Sequence, residues 1–375
     1  MIGVGVVGFG WMGRVHAQAY ARVRHHYPDV ARPELVAVAD DVPGRAEAAA
    51  EQFGFATATR DWRQLVDDPR VEAVSITAPN FLHREMGVAF AAAGKHIWIE
   101  KPVGLSAGDA RAIVGDIHVT VGFNYRNAPA VSRAREIIAA GQIGEVTHAR
   151  FRLLSDYAAH PDGALSWRFE RERGGNGVLG DLGSHGVDLI RHLLGEIDAV
   201  VADTAVFVPS RPRPLAATSG HQRGGGDLGP VENEDYLACL LRLASGARVT
   251  LDCSRVAVGE QNTYGFEIHG TRGALSWDFR RMGELSVSTG TSYQDEPVRT
   301  AFVGPHDGEF GAFQPGAGIP MSYDDLKVIE AHHFLRSIAD GTPRGATLTD
   351  AIRSAEALDA MTRSAETGTW VTLAR

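Results

Sequence analysis

The chain has 375 residues, a net charge of −9 and 44% hydrophobic residues, enough for two or three domains with substantial cores. The acidic balance and the lack of a sustained Lys/Arg stripe argue against a nucleic-acid-binding protein. No apolar run reaches the roughly 18 residues of a membrane span, and the first strand begins where a secretory leader would lie. We therefore expect a cytoplasmic protein without membrane contact.

The chain opens with a β-branched strand, Ile2 to Val7, followed by a glycine motif of the GxGxxG type. In such a motif the first glycine permits a tight turn, the second leaves no Cβ in the path of a pyrophosphate, and the third lets the next helix pack close to the strand. We therefore expect the loop to bind a dinucleotide. Its residues are Gly8, Phe9, Gly10, Trp11, Met12 and Gly13.

A second strand, predicted from Glu34 to Ala39, ends in two carboxylates, Asp40 and Asp41. A carboxylate at this place accepts hydrogen bonds from the adenosine ribose and repels a 2′-phosphate, so the pair favours NAD over NADP. Asp40 lies 27 residues beyond Gly13, further than the usual ~20, because an extended connection precedes the strand. The alternative is a glycine-rich turn with a solvated acidic loop.

Up to about Asn124, apolar strands alternate with amphipathic helices, which predicts an α/β Rossmann domain with a doubly wound parallel sheet over residues 1–124. Strands are predicted at 71–77, 96–100 and 119–123, and a helix at 82–93. Ligands bind outside the carboxyl ends of such strands, so the loops that follow them should face the cofactor. These loops hold Thr77, Ala78, Pro79, Asn80, His83, Glu100 and Lys101.

Three of these loop residues also have plainer interpretations. Asn80 and His83 could instead cap the helix that follows. Lys101 ends a buried strand, where an ammonium group is out of place unless it points into a cleft or pairs with Glu100 or Asp109. The residues alone leave both alternatives for Lys101 open.

Beyond residue 124 the pattern becomes that of an α+β domain with a large, mostly antiparallel sheet, residues 125–375. A helix at 128–140 is followed by strands at 145–157, 199–208, 235–243, 247–256, 264–269 and 274–279. The segment 210–230, rich in Pro, Gly, Arg and Ser, is predicted to be a mobile loop or an oligomer contact. The last helices, 323–339 and 349–367, are expected to pack back on the first domain, with Thr349 or Asp350 as an N-cap.

The two cysteines, Cys239 and Cys253, lie nearly symmetrically about a predicted turn at Ser245-Gly246. They are therefore expected to be near neighbours on a hairpin. We predict buried thiols rather than a disulfide.

Asp181 and His185 stand four residues apart, so on a helix they share one face, and Gly180 and Gly183 let a substrate approach. A histidine that titrates near neutrality suits removal of a hydroxyl proton, with the carboxylate to orient it. A nearby Lys101 would stabilise the developing alkoxide. The alternatives are a solvated polar face and a metal site, the latter disfavoured, from Asp181, His185, Asp188 and His192.

These motifs resemble those of the Gfo/Idh/MocA oxidoreductases. The resemblance rests on the glycine motif, the strand end at Asp40, Thr77–Asn80, Glu100-Lys101-Pro102, Asp181-x-Gly-x-His185 and Gly270–Gly273, and covers nearly the whole chain. It implies that Lys101, Asp181 and His185 form the catalytic group and that a nicotinamide lies along the Lys101 edge. It also implies a homodimer or homotetramer formed through the open face of the C-terminal sheet.

The expected substrate is a cyclic polyol or sugar, because several hydrogen-bonding and aromatic side chains follow the first domain. They are Asn124, Tyr125, Arg126, Tyr157, His160, Trp167 and Arg168, although Trp167 and Arg168 could instead touch the cofactor. The predicted reaction is NAD-dependent dehydrogenation of a secondary hydroxyl in inositol, a pyranose or an anhydrosugar. The alternatives are a redox-neutral glycoside-cleaving enzyme that retains NAD, and a non-catalytic NAD sensor.

Overall fold

A computed structural model of the chain describes residues 1–215 and 222–374. The chain divides into two compact units. The first unit holds residues 1–124 and 322–353, and the second holds residues 125–321 and 354–375. The chain therefore leaves the first unit after residue 124, returns to it at residue 322 and leaves it again after residue 353.

The first unit is built on a parallel sheet whose strands are separated by helices. Its elements up to residue 124 are β1 (Ile2–Val7), α1 (Trp11–His26), β2 (Pro33–Ala39), α2 (Arg45–Phe53), β3 (Thr57–Thr59), α3 (Arg63–Asp67), β4 (Ala73–Ile76), α4 (Asn80–Ala92), β5 (His96–Ile99), α5 (Ala107–Arg111) and β6 (Val119–Val121). All six strands run parallel in the order β3-β2-β1-β4-β5-β6. This is the doubly wound order of dinucleotide-binding domains, and it confirms the predicted Rossmann fold.

The second unit is built on a nine-stranded sheet. Its elements up to residue 302 are α6 (Pro129–Ala139), β7 (Val146–Leu154), α7 (Arg171–Gly174), α8 (Ser184–Leu194), β8 (Ile197–Ala205), β9 (Ser210–Pro212), β10 (Leu228–Pro230), β11 (Tyr236–Leu243), β12 (Arg248–Ser254), β13 (Thr263–Gly270), β14 (Gly273–Asp278), β15 (Glu284–Thr289) and β16 (Arg299–Phe302). They are followed by α9 (Tyr323–Asp340), α10 (Leu348–Thr367) and β17 (Val371–Thr372). The sheet order is β16-β15-β14-β13-β7-β12-β11-β8-β17, with only the β7–β12 pair parallel. The predicted large, mostly antiparallel sheet is confirmed.

Helix α8 lies close against the inner face of this sheet. A Cβ on Gly186 would come within 2.6 Å of Leu251 on β12 and 2.9 Å of Leu153 on β7. The helix that carries His185 is therefore pressed onto two central strands. This packing gives the residues around position 185 a rigid support.

The two C-terminal helices are shared between the two units, whereas both were predicted to pack on the first. Helix α9 belongs to the first unit, but α10 belongs to it only up to Arg353. From Ser354 onwards α10 binds the second unit, because Ser364 accepts a hydrogen bond from Ala202 at 3.0 Å and Thr362 donates to Asn176 at 3.2 Å. The expected return of 349–367 to the first unit therefore holds only for its first turn.

The N-cap predicted for α10 was also wrong. The helix begins at Leu348, and Thr347 precedes it. The Thr347 hydroxyl accepts from the Asp350 backbone N–H at 3.4 Å, while the Asp350 carboxylate accepts from the Thr347 N–H at 2.9 Å. This is a capping box in which Asp350 occupies the third helical position.

The two cysteines lie on the neighbouring strands β11 and β12. Cys239 pairs with Leu251 and Cys253 pairs with Leu237. The two cysteines are therefore offset by two residues along the paired strands. Both are buried and free, as predicted, and burial raises the pKa of Cys239 to about 12.

Candidate active site

The glycine loop between β1 and α1 has the shape that a dinucleotide requires. Gly8 adopts a φ of +83°, and a Cβ there would come within 2.6 Å of the Ala78 backbone. A Cβ on Gly13 would come within 2.3 Å of the Gly8 carbonyl oxygen, so this glycine permits the close approach of α1 to the loop. A Cβ on Gly10 meets nothing within 4 Å, which leaves open space at the N-terminus of α1 for an anionic group.

The other residues of the loop are fixed by aromatic contacts. Phe9 is buried, with ring centroids 5.4 Å from Phe53 and 6.0 Å from Phe55. Trp11 is 65% exposed and stacks on Tyr323 at 5.4 Å, and the Tyr323 hydroxyl contacts the Met12 sulfur at 3.8 Å. Helix α9, which begins at Tyr323 and follows most of the chain, therefore supports the glycine loop.

Asp40 lies at the carboxyl end of β2 with its carboxylate turned toward the glycine loop. The carboxylate accepts hydrogen bonds from the backbone N–H groups of Phe9 at 2.6 Å and Val42 at 3.0 Å. Arg45 lies beside it at 3.3 Å. Asp41 is exposed, and Arg60 donates to its carbonyl oxygen at 2.9 Å. The donors and acceptors around Asp40 thus fit the adenosine end of a nicotinamide cofactor.

His83 connects the two loops that follow β4 and β5. Its Nε2 lies 2.7 Å from the Ala78 carbonyl oxygen, and its Nδ1 lies 2.9 Å from that of Pro102. Burial keeps the pKa of His83 below its ordinary value, against the effect of the two carbonyl oxygens. His83 therefore neither caps a helix end through its ring nor faces solvent, and it holds the loop 77–80 to the turn after Glu100.

Glu100 is buried under this edge of the sheet. Its Oε1 binds Lys327 at 2.5 Å and His16 at 3.0 Å. Burial opposes the charge, but Lys327 and His16 hold the pKa of Glu100 well below its usual range. A Cβ on Gly122 would come within 2.6 Å of the carboxylate, so the side chain packs directly on the β6 end.

Lys101 follows directly and is half-buried, with a cis peptide bond to Pro102. Both acids considered as alternative partners of Lys101 are engaged elsewhere. Glu100 binds Lys327, while Asp109 accepts from the Leu105 N–H at 2.8 Å and lies 3.5 Å from Arg84.

Asp181 and His185 flank a change of helix type. Residues 179–183 form a π-turn, and α8 begins at Ser184. The turn is held at its start by Glu234, whose carboxylate accepts from the Leu179 N–H at 3.0 Å and whose carbonyl accepts from the Val178 N–H at 2.9 Å. Such single π-turns are frequent at functional sites.

Aromatic side chains contact both residues. The Tyr157 hydroxyl donates to the Asp181 carboxylate at 2.5 Å, and burial together with the charge of Asp181 raises the pKa of Tyr157 well above its ordinary value. The Tyr125 ring packs edge-on against His185, with centroids 4.6 Å apart. Since His185 is 7% exposed, a fully solvated polar face is excluded for it.

A buried ion pair lies one turn further along α8. Arg126 donates from Nε to Asp188 at 3.0 Å and makes a second contact through its Nη2, and both side chains are buried. Sequence reasoning missed this pair because 62 residues separate its members. The engagement of Asp188 by Arg126 also removes it from the alternative metal site with His192.

The remaining predicted residues lie in both units. Asn124 is fully buried at the end of the first unit, and neither polar atom of its amide has a partner among the described residues. In the second unit the Arg168 guanidinium lies over the Trp167 ring at 4.4 Å. His160 is exposed and accepts a hydrogen bond from Arg223 at 3.2 Å.

Two family models match the chain. The NAD-binding Rossmann-fold model of an oxidoreductase family matches residues 2–117, and the GFO/IDH/MocA C-terminal domain model matches residues 131–276. The chain belongs to the Gfo/Idh/MocA family. It is therefore an NAD-binding oxidoreductase, and the geometry of the glycine loop and Asp40 agrees with that cofactor.

Among family members, the chain is similar to dehydrogenases of sugars and polyols. A levoglucosan dehydrogenase of Pseudarthrobacter phenanthrenivorans is 37% identical, over 99% of this chain and 97% of its own. An inositol 2-dehydrogenase of Rhizobium meliloti is 30% identical, over 90% of this chain and 96% of its own. The structure of a levoglucosan dehydrogenase in complex with NADH and levoglucosan superposes with a TM-score of 0.92, at 34% identity, over 100% of this chain and 99% of that chain. Across the described residues, every helix is too short or too polar to cross a membrane.

Proposed function

We propose that this Gfo/Idh/MocA oxidoreductase oxidises a secondary hydroxyl of a pyranose or anhydrosugar, with levoglucosan the first substrate to test. The observation that carries the proposal is the group formed by Tyr157, Asp181 and His185 with Tyr125. It combines a buried imidazole, an oriented, partly buried carboxylate and the rings of two tyrosines. The similarity to levoglucosan dehydrogenase over nearly the full chain supports the choice of substrate.

The reaction removes a proton and a hydride from one carbinol group. When bound, NAD supplies the acceptor for the hydride. The open space beside Gly10 and the carboxylate of Asp40 would hold its pyrophosphate and adenosine ribose. The Asn124 amide, buried without a partner among the described residues, offers one donor and one acceptor for a further polar group of cofactor or substrate.

His185 removes the hydroxyl proton. A neutral imidazole accepts a proton from an alcohol most readily when its orientation is fixed, and the Tyr125 ring packs against it. Asp181 orients the substrate or the imidazole, and its own direction is set by the hydrogen bond from Tyr157. Lys101 donates to the reacting oxygen as negative charge develops on it. The carbinol carbon becomes a ketone, with one proton on His185 and one hydride lost.

The test is the appearance of NADH absorbance with NAD or NADP and a panel of levoglucosan, inositols, hexoses and pentoses. Turnover of levoglucosan or another pyranose supports the proposal, and turnover of inositols alone contradicts it. Release of a sugar leaving group without net NADH would instead indicate the redox-neutral glycoside cleavage. NAD binding without any reaction would indicate a sensor.

The proposed roles are tested by Lys101→Met and His185→Gln. Each should leave the Kd for NAD within about twofold and reduce kcat by at least about 100-fold, because each removes a group that acts on the reacting oxygen. Full activity in Lys101→Met would remove that residue from the mechanism.

We also propose that copies of the chain associate through the open face of the nine-stranded sheet, in the cytoplasm. Leu240 on β11 is 50% exposed on this face, between Val201 on β8 and Thr250 on β12. The face continues to the mixed charges of Arg150 and Glu267, which lie 3.6 Å apart. Leu240→Lys should lower the oligomeric mass measured by light scattering, because a buried ammonium at an apolar contact is costly.

A further inference from the structure

Two described parts of the segment 210–230 are attached to the part of the second unit that precedes α7. Its described parts, 210–215 and 222–230, pair with each other through β9 and β10. Both parts also bind the chain between residues 158 and 169, which we call the substrate segment because Trp167 and Arg168 belong to it. Three backbone hydrogen bonds of 2.8 to 2.9 Å make the attachment: Leu165 N–H to Pro212, Ala164 N–H to Gln222, and Gly224 N–H to Asp162.

Arg211 reinforces the attachment with its side chain. The guanidinium is buried and donates to the carbonyl oxygens of His160, at 3.0 Å, and Ala158. Its Cζ also lies over the Phe169 ring, 4.3 Å from the centroid, and the Arg255 Cζ lies 4.5 Å from the same ring. Cation–π contacts of this kind are stronger when they are desolvated. The Arg211 side chain thus holds the substrate segment near its start and at its end.

Glycines permit the close contact between the two segments. A Cβ on Gly163 would come within 2.7 Å of the Arg211 guanidinium, and one on Gly229 would come within 2.6 Å of Leu165. A Cβ on Gly224 would come within 2.3 Å of the Pro212 carbonyl oxygen. Side chains at Gly163, Gly224 and Gly229 would therefore disturb this packing. Residues 216–221 of the predicted mobile loop lie outside the described residues.

We propose that residues 210–215 and 222–230 form a buttress for the substrate segment, and that Arg211 is a positioning residue that determines which sugar fits. This inference rests on the proposed function, because it takes Tyr157, Trp167 and Arg168 as sugar-binding residues. Tyr157 directly precedes Ala158, whose carbonyl oxygen accepts from Arg211. Trp167 and Arg168 directly precede Phe169, whose ring the Arg211 guanidinium covers. A shift of this backbone moves all three side chains without touching the glycine loop.

The test compares kinetic constants of Arg211→Ala, Arg211→Lys and Gly163→Ala with those of the wild-type enzyme. Arg211→Ala should raise the KM for the best sugar by at least about 10-fold and change the order of preference in the sugar panel, because misplaced contacts lose orientation. The KM for NAD should stay within twofold. Arg211→Lys should be intermediate, since an ammonium reaches the carbonyl oxygens but cannot stack as a plane on Phe169. Gly163→Ala should act in the same direction, because its methyl group displaces the guanidinium.

The control is Arg63→Ala, which removes a guanidinium from the Trp62 ring in the first unit, at 4.8 Å, and should leave all constants unchanged. Unaltered sugar KM and preference in the folded Arg211 and Gly163 variants would overturn the inference, as would an equal rise in the KM for NAD. If Arg211→Ala fails to fold, Arg211→Lys and Gly163→Ala decide.

Amide hydrogen exchange separates this inference from the proposed function. Faster exchange at Ala164 and Leu165 in Arg211→Lys supports the buttress even if no sugar is oxidised by the wild-type enzyme, and unchanged exchange refutes it. A wild-type enzyme that oxidises no sugar refutes only the proposed function.

Discussion

At the scale of single residues, we expect Asp40 to control the choice between the two nicotinamide cofactors. Its carboxylate would repel a 2′-phosphate, and it also holds Arg45 at 3.3 Å. Asp40→Ser should therefore shift the ratio of kcat/KM for NAD over NADP toward NADP by about 10- to 100-fold, because it removes the repulsion and releases a guanidinium for the phosphate. The measurement is the pair of kcat/KM values. Asp41→Ser is the matched control, with a smaller shift, and an unchanged preference in Asp40→Ser would show that another group reads the ribose.

Tyr157 is a second residue with a specific expected effect. It donates to Asp181 at 2.5 Å, and a hydrogen bond to a charged group is worth about 1.5–3 kcal/mol. Tyr157→Phe should therefore lower kcat by about 10- to 100-fold with little change in the Kd for NAD. The matched control is Tyr236→Phe, which removes a Tyr–Asp hydrogen bond to Asp252 away from the site. Equal kcat values in the two variants would contradict the role of Tyr157.

The sequence predicts most of the candidate site residues by type, but it does not predict their contacts. Asp181 and His185 follow from local spacing, because four residues bring them to one helix face. The partners of Asp188 and Asp181 do not follow from local spacing. Arg126 and Tyr157 are distant from them in sequence, so both pairings depend on the tertiary fold. Glu100 was expected to face the cofactor, whereas its carboxylate is bound to Lys327 on α9, 227 residues away.

At the scale of elements, substitutions of Gly10, which caps α1, and Gly13, in its first turn, should have different effects. Gly10 has a φ of −75° and open space around it, so Gly10→Ala should fold normally and bind NAD at least about 10-fold more weakly, because the methyl group occupies the pyrophosphate position. Gly13→Ala places a Cβ 2.3 Å from a backbone oxygen and should lower the Tm by several degrees, since α1 must move away from the loop.

Thermal unfolding and NAD titration together check this pair. A Gly10→Ala protein with wild-type affinity for NAD would show that the cofactor does not pass close to this backbone. A Gly13→Ala protein with wild-type Tm would show that the loop adjusts without cost. The two variants act as controls for each other, because the two glycines lie three residues apart in one glycine motif.

Long elements were more predictable than short ones. Strands β1, β11 and β13 were placed within one or two residues, because hydrophobic runs bounded by turns specify them. The short strands β3 and β9 were missed, since three residues carry too little pattern and their pairing is decided by neighbours. The π-turn at 179–183 has no sequence signature beyond its glycines and depends on the Glu234 contacts.

At the scale of the whole molecule, a buried charge cluster joins the sheet edge to α9. Lys327 binds both Glu100 and Glu330, at 2.5 and 2.8 Å, and Trp98 donates to Glu330 at 3.1 Å. Burial raises the pKa of Glu330 to about 7 and lowers the pKa of His16 to about 4. Helix α9 is thus tied to the strand that precedes Lys101 by a buried cluster in which the pKa of Glu330 lies near neutrality.

The two shifts affect stability in opposite directions. Between its ordinary value of 4.5 and about 7, Glu330 holds a proton in the folded state that the unfolded chain has lost, so its contribution to stability falls as the pH rises. His16 stays neutral when folded between about 4 and 6.5, where the unfolded chain binds a proton, so its contribution rises with pH. From pH 4.5 to 6.5, the fall in stability caused by Glu330 opposes the rise caused by His16. Below pH 4.5, the depressed pKa of Glu100 adds a loss of stability as the pH falls.

Glu330→Gln removes the contribution of Glu330 to the pH dependence of stability. The opposite contribution of His16 should then become visible. The free energy of unfolding of the variant, relative to the wild type, should increase by on the order of 2 kcal/mol from pH 4.5 to 7, because the wild type alone loses the contribution of the protonated carboxyl group. Urea unfolding at several pH values measures this difference. Glu85→Gln, which affects only an exposed ion pair with Arg63, should show almost no such trend. A difference that stays constant with pH in Glu330→Gln would mean that Glu330 is charged throughout, with Lys327 holding it in that form.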